Sequence, residues 1–402
     1  MGFAVTSRLN YWSQLLILPK FAKLPKCMNI GFEAKRFFTN NTGLGNYSRF
    51  IIRALSKAFP ENDYYLYTPR NPGHRDALEI LKDESIRVIT PEKWYKVFKA
   101  TSFWRTWGIS RERSIRELQV FHGLSQELPA NLPEKIKKVV TVHDLIFYRY
   151  PEFYNFIDTA IYKKKLKFAC QKADKIIAIS EQTKADLREF LKIDEAKIEI
   201  IYQGSHPNFK RALSSAEIES IAIKHKLPGE YILSVGTIER RKNLLVIIKA
   251  LSLIPKESRV PLVILGRRTE YFKEVLAAAR ELHVLDAIYF PENVPFSDFP
   301  AIYQKARLFI YPSLFEGFGI PLVEAIESRV PVITSFGSCF SEAAGPSSIF
   351  VDPHNEEALA VQINKVLSDS ALAKSMVSAS YEYIQRFEAA VIAKKIMNVY
   401  KQ

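Results

Sequence analysis

The sequence predicts an α/β fold with two Rossmann-like, doubly wound domains. Short apolar segments alternate with stretches of helical periodicity along most of the chain, which is the pattern of parallel sheets covered by helices. The chain has 402 residues, enough for two domains with separate hydrophobic cores. A polar segment begins at residue 208, so we expect one domain over residues 28–207 and a second over residues 208–385.

Two shorter segments flank the predicted domains. Residues 1–27 are apolar only in patches and lack the small-residue cleavage site of a signal peptide, so we interpret them as an N-terminal extension. Residues 386–402 contain the last predicted helix. No run of roughly 18 or more apolar residues occurs in the sequence, and no transmembrane helix is therefore predicted.

Composition limits the classes of function. A content of 48% apolar and 25% charged residues indicates a globular protein. Cys27, Cys170 and Cys339 are far apart in sequence, so no cysteine metal site or redox pair is predicted. The net charge is +14, and residues 1–205 carry +12 of it. A basic first half can face nucleic acid, anionic lipid or a phosphorylated substrate, or can simply aid solubility.

The most informative stretch is a strand–loop–helix–strand unit over residues 307–334. Its loop contains Gly317 and Gly319, which let backbone N–H groups approach a ligand, and the N-terminus of the following helix favours an anion. Glu316 precedes these glycines, and Glu324 follows eight residues later. Two carboxylates that flank a phosphate cradle suit a sugar–diphosphate–ribose ligand, although acids at helix starts are also common on solvated surfaces.

A glycine and two basic residues follow the first strand of the second domain. Gly236 ends this strand, and Arg241 and Lys242 come just before the next helix. Arg can bind a diphosphate through two parallel hydrogen bonds, and Lys can bind it as a point charge. Because ligands of parallel α/β sheets bind at the carboxyl ends of the strands, this pair predicts an anion site. As isolated loop residues they would be ordinary surface charges.

The first domain offers weaker signals. Gly43 and Gly45 precede a predicted helix, but Ser48 stands where a G-x-G-x-x-G motif has its last glycine, so a plain glycine loop is the alternative. His143 and His122 each end a predicted strand. Such histidines are more often structural, yet strand ends of α/β domains are where chemistry takes place. We therefore predict His143 as a site residue and His122 as a weaker candidate for contact with a second substrate.

These segments resemble a known family. Residues 316–325, Glu-Gly-Phe-Gly-Ile-Pro-Leu-Val-Glu-Ala, are similar to the E-x7-E signature of family 4 retaining nucleotide-sugar glycosyltransferases, which have the GT-B fold. Residues 236–243 resemble the G-T-I-E-x-R-K-N segment of this family, and residues 141–145 resemble its active-site histidine segment. The resemblance extends over residues 28–402 and is closer in the second half.

The resemblance implies a role for each candidate residue. Arg241 and Lys242 would neutralise the diphosphate, Glu316 and His143 would contact the donor sugar, and Glu324 would bind the nucleotide ribose. The last helix would cross back to the first domain. The remaining implied donor contacts are Gly43, Gly45, Gly236, Gly317, Phe318 and Gly319.

The implied activity is that of a retaining hexosyltransferase. We expect it to transfer mannose from GDP-mannose to a hydroxyl of a glycan or a lipid-diphosphate-linked acceptor in surface polysaccharide or lipopolysaccharide biosynthesis, with a UDP-sugar as the alternative donor. No Asp-x-Asp motif stands where a metal could assist, so neither a metal nor another cofactor is expected. The expected location is cytoplasmic and peripheral on the inner face of the cytoplasmic membrane, whose anionic surface is a further partner; nucleic acid is not an expected partner.

Three other classes fit parts of the sequence. A hydrolase could use the two glutamates as an acid/base pair, but it leaves the basic pair unexplained. A nicotinamide-dependent oxidoreductase would need the missing third glycine. A non-catalytic protein could bind a membrane or nucleic acid, because residues 92–116 and 161–172 combine aromatic and basic side chains.

Overall fold

The computed structural model describes residues 27–40, 42–70, 75–92, 95 and 100–402; the predicted N-terminal extension lies outside them, apart from Cys27. The strands of the first half are β1 (Asn29–Glu33), β2 (Asp63–Tyr67), β3 (Ile86–Ile89), β4 (Val120–Gly123), β5 (Lys137–Val142), β6 (Lys175–Ala178) and β7 (Ile198–Ile200). The strands of the second half are β8 (Ile232–Val235), β9 (Leu262–Leu265), β10 (Ile288–Tyr289), β11 (Leu308–Tyr311), β12 (Val332–Ser335) and β13 (Ile349–Val351).

The strands form two parallel sheets. The first has the order β3-β2-β1-β4-β5-β6-β7, and the second has the order β10-β9-β8-β11-β12-β13. The strand order reverses between β1 and β4 in one sheet and between β8 and β11 in the other, and such reversal points are where α/β sheets bind ligands. The predicted fold class is therefore confirmed. The domain boundaries that we predict remain predictions.

Helices connect these strands. Those of the first half are α1 (Lys35–Thr39), α2 (Gly43–Ala58), α3 (Arg75–Ile80), α4 (Thr101–Phe103), α5 (Ile146–Arg149), α6 (Phe156–Lys172) and α7 (Glu181–Leu191). Those of the second half are α8 (Ser215–Lys224), α9 (Leu244–Ser252), α10 (Tyr271–Glu281), α11 (Phe299–Lys305), α12 (Ile320–Glu327), α13 (Phe340–Ala344), α14 (Glu356–Ser368), α15 (Ser370–Ile384) and α16 (Ala389–Lys401).

Burial and capping explain why these segments adopt their structures. Every residue of the central strands β4 and β11 is buried, as expected for parallel strands with helices on both faces. Helix α7 begins after Ser180, because the Ser180 hydroxyl accepts a hydrogen bond from the Thr183 backbone N–H. Helix α8 begins with a capping box between Ser214 and Glu217.

The last helix returns to the first domain, as the resemblance implied. Helix α16 packs against α2, and its Tyr400 hydroxyl lies 2.6 Å from Nδ1 of His122 on β4. The other ring nitrogen of His122 lies 2.8 Å from the Thr141 hydroxyl, and the ring is fully buried. The prediction of His122 as an acceptor-side residue is therefore wrong, because both nitrogens are occupied within the core. His122 joins α16 to the first sheet.

The aromatic and basic segments of the first domain are partly buried and partly exposed. Trp94 lies outside the described residues, whereas Trp104 is fully buried and donates its indole N–H to Glu112. At the start of α6, by contrast, Phe156 is 86% exposed and Ile157 is 67% exposed. Among the residues that the structure describes, no helix combines the length and apolarity needed to cross a bilayer.

Substitution of Tyr400 tests the link between α16 and the first sheet. Tyr400→Phe removes the hydroxyl and leaves a buried His122 nitrogen without its partner, which costs about 1–3 kcal/mol. We expect the free energy of unfolding in urea to fall by this amount. The control is Tyr289→Phe, because Tyr289 is 36% exposed. Equal stability of the two variants would show that the hydrogen bond contributes nothing.

Candidate functional site

Three charged side chains meet where the strand order of the second sheet reverses. Arg241 and Lys242 lie in a turn after β8, and Glu316 lies in the loop after β11. Because β8 and β11 are paired neighbours, their carboxyl ends bring these residues together. Glu316 Oε1 lies 2.5 Å from Lys242 Nζ and 2.6 Å from Arg241 Nη1. We call this group the charged triad.

Two hydroxyl groups complete the contacts of Glu316. The Tyr311 hydroxyl donates to Oε1 at 3.0 Å, and the Ser313 hydroxyl donates to the same atom at 2.7 Å. Among the described residues, every donor to this carboxylate contacts Oε1 and none contacts Oε2. Oε2 is therefore the atom of Glu316 that can accept a hydrogen bond from a ligand hydroxyl.

The charged triad carries a net positive charge. Burial alone would raise the pKa of Glu316, but Arg241 and Lys242 outweigh it and lower this pKa to about 2, so the carboxylate is ionised. Burial opposes the charge on Arg241, yet Glu316 and Glu239 raise the pKa of its guanidinium. Burial also lowers the pKa of Lys242, an effect that Glu316 counteracts. Arg241 also pairs with Glu239 at 2.7 Å, so this second, more exposed carboxylate offsets the net charge of the triad.

Gly236 lies beside the triad at the end of β8. A side chain at this position would press against the aliphatic part of Lys242, since a Cβ there would lie 3.3 Å from Cε. Its φ of +151° is a conformation that glycine adopts readily. Gly236, Lys242 and Tyr311 line a small cavity of about 210 Å³. The structure thus places predicted residue Gly236 next to the predicted basic pair.

The glycine loop before α12 lies at the contact between the two domains and contains three of the predicted donor contacts. Gly317 packs on the His143 carbonyl oxygen, and a Cβ on Gly317 would collide with it. Gly319 has a φ of +88° and caps α12. The Phe318 side chain is 2% exposed and stacks with Tyr202, so only the Phe318 backbone remains a candidate ligand contact.

His143 lies against this loop from the first domain. Its Nε2 donates to the Leu124 carbonyl oxygen at 2.8 Å, and its ring meets the Tyr47 ring edge-on at 4.6 Å. Burial lowers the pKa of His143 to about 4, which makes the imidazole neutral at pH 7. A neutral, oriented ring whose second nitrogen is Nδ1 suits a hydrogen bond with a sugar hydroxyl.

Glu324 and Gly43 face each other across the cleft between the domains. Both line a cavity of about 370 Å³, in which Gly43 is the exposed first residue of α2. The Tyr303 hydroxyl donates to Glu324 Oε2 at 3.2 Å. Burial raises the pKa of Glu324 to about 7, because no cation balances its charge as in the triad. The structure therefore brings together one predicted residue from each domain.

Gly45 does not fit the predicted phosphate contact. Its backbone N–H already donates to the Thr42 carbonyl at 3.0 Å and to Asn40 Oδ1 at 3.1 Å. A Cβ at this position would collide with the Asn40 carbonyl oxygen. The glycine is required because the chain approaches itself closely before α2, and its N–H group is not available to a ligand in this structure.

Several residues near the site were not predicted from the sequence. Tyr311 and Ser313 were missed, although polar residues at the end of a buried strand are a recognisable signal. Asp144, which follows His143 in the sequence, is a further residue that was not predicted; burial raises the pKa of its carboxyl group. Asp144 and Tyr154 line a cavity of about 720 Å³ in the first domain, which we call the inner cavity.

A second cavity of about 830 Å³, the outer cavity, adjoins the inner one. Glu127 and Lys165 line both. Apolar side chains such as Trp107, Leu128 and Phe168 line the outer cavity together with charged ones such as Arg105 and Lys164. At the junction Glu127 pairs with Arg105 and with Lys165. The first domain thus has a groove that begins near the charged triad and ends at a partly apolar surface.

Both halves of the chain match known glycosyltransferase families. Residues 42–209 match the family described as Glycosyltransferase Family 4, and residues 216–383 match the one described as Glycosyl transferases group 1. This chain belongs to the family 4 glycosyltransferases. Every predicted site residue lies within one of the two matched segments. The roles of the individual residues stay predictions.

Named relatives and solved structures agree with this membership. The chain is 27% identical over 286 residues to O-antigen chain mannosyltransferase B of Escherichia coli, a match that covers 70% of this chain and 74% of the relative. A glycosyltransferase structure from Rickettsia africae superposes with a TM-score of 0.71 and 20% identity, covering 94% of this chain and 98% of that one. Anabaena Alr3699/HepE in complex with UDP and glucose gives 0.71 and 16%, covering 93% and 99%. These two structures confirm the GT-B fold.

A metal ion held by the protein would require several ligating side chains close together. Within the described ranges, no three His, Cys, Asp or Glu side chains are grouped as a metal site. Metal independence remains a prediction, because phosphate oxygens of a substrate can themselves hold a cation.

The raised pKa of Glu324 predicts a pH-dependent loss of stability. The folded protein holds a proton on Glu324 up to about pH 7, whereas an unfolded glutamate releases it near its ordinary value of 4.5. Stability attributable to this residue therefore decreases as the pH rises from 4.5 through about 7, by on the order of 2–3 kcal/mol. Glu324→Gln should remove this pH dependence of the free energy of unfolding.

Urea unfolding of wild type and Glu324→Gln at pH 5 and pH 8 measures the effect. The wild type should lose stability relative to the variant over this interval. Exposed Glu357→Gln is the control and should follow the wild type. Parallel pH profiles for wild type and Glu324→Gln would mean that Glu324 titrates normally. Glu316 does not interfere, since its pKa of about 2 lies below the interval.

Proposed function

We propose that this protein is a retaining glycosyltransferase that moves a hexose from a nucleoside diphosphate to an acceptor hydroxyl in polysaccharide assembly. The observation that carries the proposal is the charged triad. Arg241 and Lys242 hold two cationic groups beside Gly236 and the cap of α12, where a diphosphate would lie and could replace Glu239 as a partner of Arg241. Glu316 Oε2, which accepts no hydrogen bond from the described residues, can bind a sugar hydroxyl.

Electrostatic stabilisation of the leaving group is the main catalytic effect in this proposal. Cleavage of the bond between the sugar and the diphosphate increases the negative charge on the phosphate oxygens. Arg241 and Lys242 are already held in place by Glu316, so they need little reorganisation as this charge develops. The acceptor hydroxyl attacks from the face that the departing phosphate leaves, and the sugar keeps its anomeric configuration.

Mannose from GDP-mannose is the proposed donor. The relation to an O-antigen mannosyltransferase supports mannose. A UDP-sugar is the second candidate, because a structure with the same fold contains UDP and glucose. Incubation with GDP-mannose and with UDP-glucose, followed by measurement of released GDP or UDP, distinguishes them. Retention requires that NMR of the product shows the donor's anomeric configuration, and an inverted product would refute it.

The acceptor is proposed to lie in the groove of the first domain. The inner cavity, which reaches Asp144, is placed to hold the acceptor sugar. Arg105 and Lys165, at the junction with the outer cavity, both pair with Glu127 and are candidate partners of a diphosphate. The apolar side chains of the outer cavity suit a lipid chain. A lipid-diphosphate-linked glycan fits these three features together.

Charge removal at the donor site should impair transfer. We expect Arg241→Ala and Lys242→Ala each to lower kcat by about 10²–10³-fold, the loss typical of one transition-state charge stabiliser. The adjacent Arg240→Ala is a matched control, since its side chain is 66% exposed and pairs with Glu274. Circular dichroism should be unchanged in all three. Normal turnover in both site variants would exclude the triad as the diphosphate site.

The start of α6 is proposed to meet an anionic membrane. It exposes apolar residues beside lysines, and each lysine near an anionic surface contributes about 1 kcal/mol. Four changes to Gln, at Lys163, Lys164, Lys165 and Lys167, should abolish low-salt co-sedimentation with anionic vesicles.

The control for this experiment removes the same charge from the second domain, by changing Lys249, Lys256, Lys273 and Lys305 to Gln. It should sediment like the wild type. Binding of wild type to neutral and anionic vesicles alike, or no binding at low salt, would contradict the membrane contact.

A further inference from the structure

A carboxylate of the second domain caps a helix of the first. Glu342 on α13 accepts hydrogen bonds from the backbone N–H groups of Glu181 at 2.7 Å and Gln182 at 3.3 Å. These are the first two residues of α7. The first N–H groups of a helix have no partner within it and lie at the positive end of the helix dipole, so a carboxylate is a suitable acceptor there. Burial outweighs these hydrogen bonds and raises the pKa of Glu342 above its ordinary value.

The same helix start contacts the loop that carries Glu316. The Ser180 hydroxyl caps α7 and lies 2.7 Å from the Gly317 carbonyl oxygen, to which it donates. The Thr183 hydroxyl donates to the His143 carbonyl oxygen at 3.2 Å. Since Gly317 packs directly on that carbonyl, the N-terminus of α7 joins both halves of the candidate site.

Contacts within its own domain fix the position of Glu342. The Tyr383 hydroxyl donates to the Glu342 backbone carbonyl at 3.0 Å, and Arg386 donates to the Tyr383 hydroxyl at 3.0 Å. Tyr383 lies near the end of α15, and Arg386 lies between α15 and α16. These hydrogen bonds hold the Glu342 backbone in place, so that its carboxylate meets the start of α7. Among the described residues, no contact joins this carboxylate to the triad, and Glu342 does not line the cavity that contains Glu324.

We propose that Glu342 is a positioning residue that holds the two domains in the arrangement required for transfer. A sugar bound by the second domain must meet a hydroxyl bound by the first. Glu342 holds α7 against α13, and this contact keeps Gly317 on His143 and sets the position of Glu316 relative to the acceptor groove. Donor binding should not require it, because Arg241, Lys242 and Glu324 belong to the second domain.

Kinetics and solution scattering test this role. Glu342→Gln keeps the size of the side chain but removes its charge and places an NH2 group against one of the N–H donors. We expect kcat to fall about tenfold, while Kd for GDP or UDP by calorimetry stays within about threefold. The radius of gyration with saturating GDP or UDP should exceed that of the wild type. The control is Glu382→Gln, an exposed glutamate on α15.

A second variant separates positioning from a general loss of structure. Ser180→Ala removes another contact of the same interface. The fold loss of kcat in the double variant should therefore be smaller than the product of the fold losses in Glu342→Gln and Ser180→Ala. A kcat within twofold of wild type, an unchanged scattering profile, or a large loss of nucleotide affinity in Glu342→Gln would overturn the proposal. If no nucleotide sugar is turned over, only the proposed function is refuted. The scattering measurement still tests the role of Glu342 in that case.

Discussion

The pairing of one buried carboxylate with two cations is the interaction on which the site depends. Glu316 can remain ionised in a buried loop only because Arg241 and Lys242 offset the cost of its burial. In return, the carboxylate holds both cations at the carboxyl ends of β8 and β11. Glu324 is buried without such partners, and its pKa shifts in the opposite direction. Two glutamates on one loop and helix therefore differ in charge because their neighbours differ.

The contact between domains is made largely by backbone groups. Gly317 meets the His143 carbonyl, Ser180 donates to the Gly317 carbonyl, and Glu342 accepts from N–H groups of α7. Such contacts use few side-chain atoms, and they leave the facing side chains available for ligands. They also require a residue without a Cβ at the point of closest approach, and Gly317 is that residue.

The sequence predicts which residues come together in the second domain better than it does in the first, for a physical reason. Arg241, Lys242 and Glu316 follow buried strands, and parallel sheets bring strand ends together whatever the loops do. His122 ends a strand as well, but its burial depends on Tyr400, 278 positions later in the chain. The N–H of Gly45 is occupied by Asn40, a local contact that glycine spacing alone does not reveal. Long-range packing and local hydrogen bonds decide these cases, and neither follows from strand–helix periodicity.

The return of α16 to the first domain has a consequence for biosynthesis. His122 receives the Tyr400 hydroxyl only after the whole second domain has been translated, because 278 positions separate the two residues. The first sheet can assemble earlier on the ribosome, but its core next to α2 stays open to water until α16 docks. The core of the first domain is thus completed by a helix that follows the second sheet in the chain, although each domain has its own sheet. Hydrogen exchange on a fragment that ends before residue 389 would register the exposed region around β4.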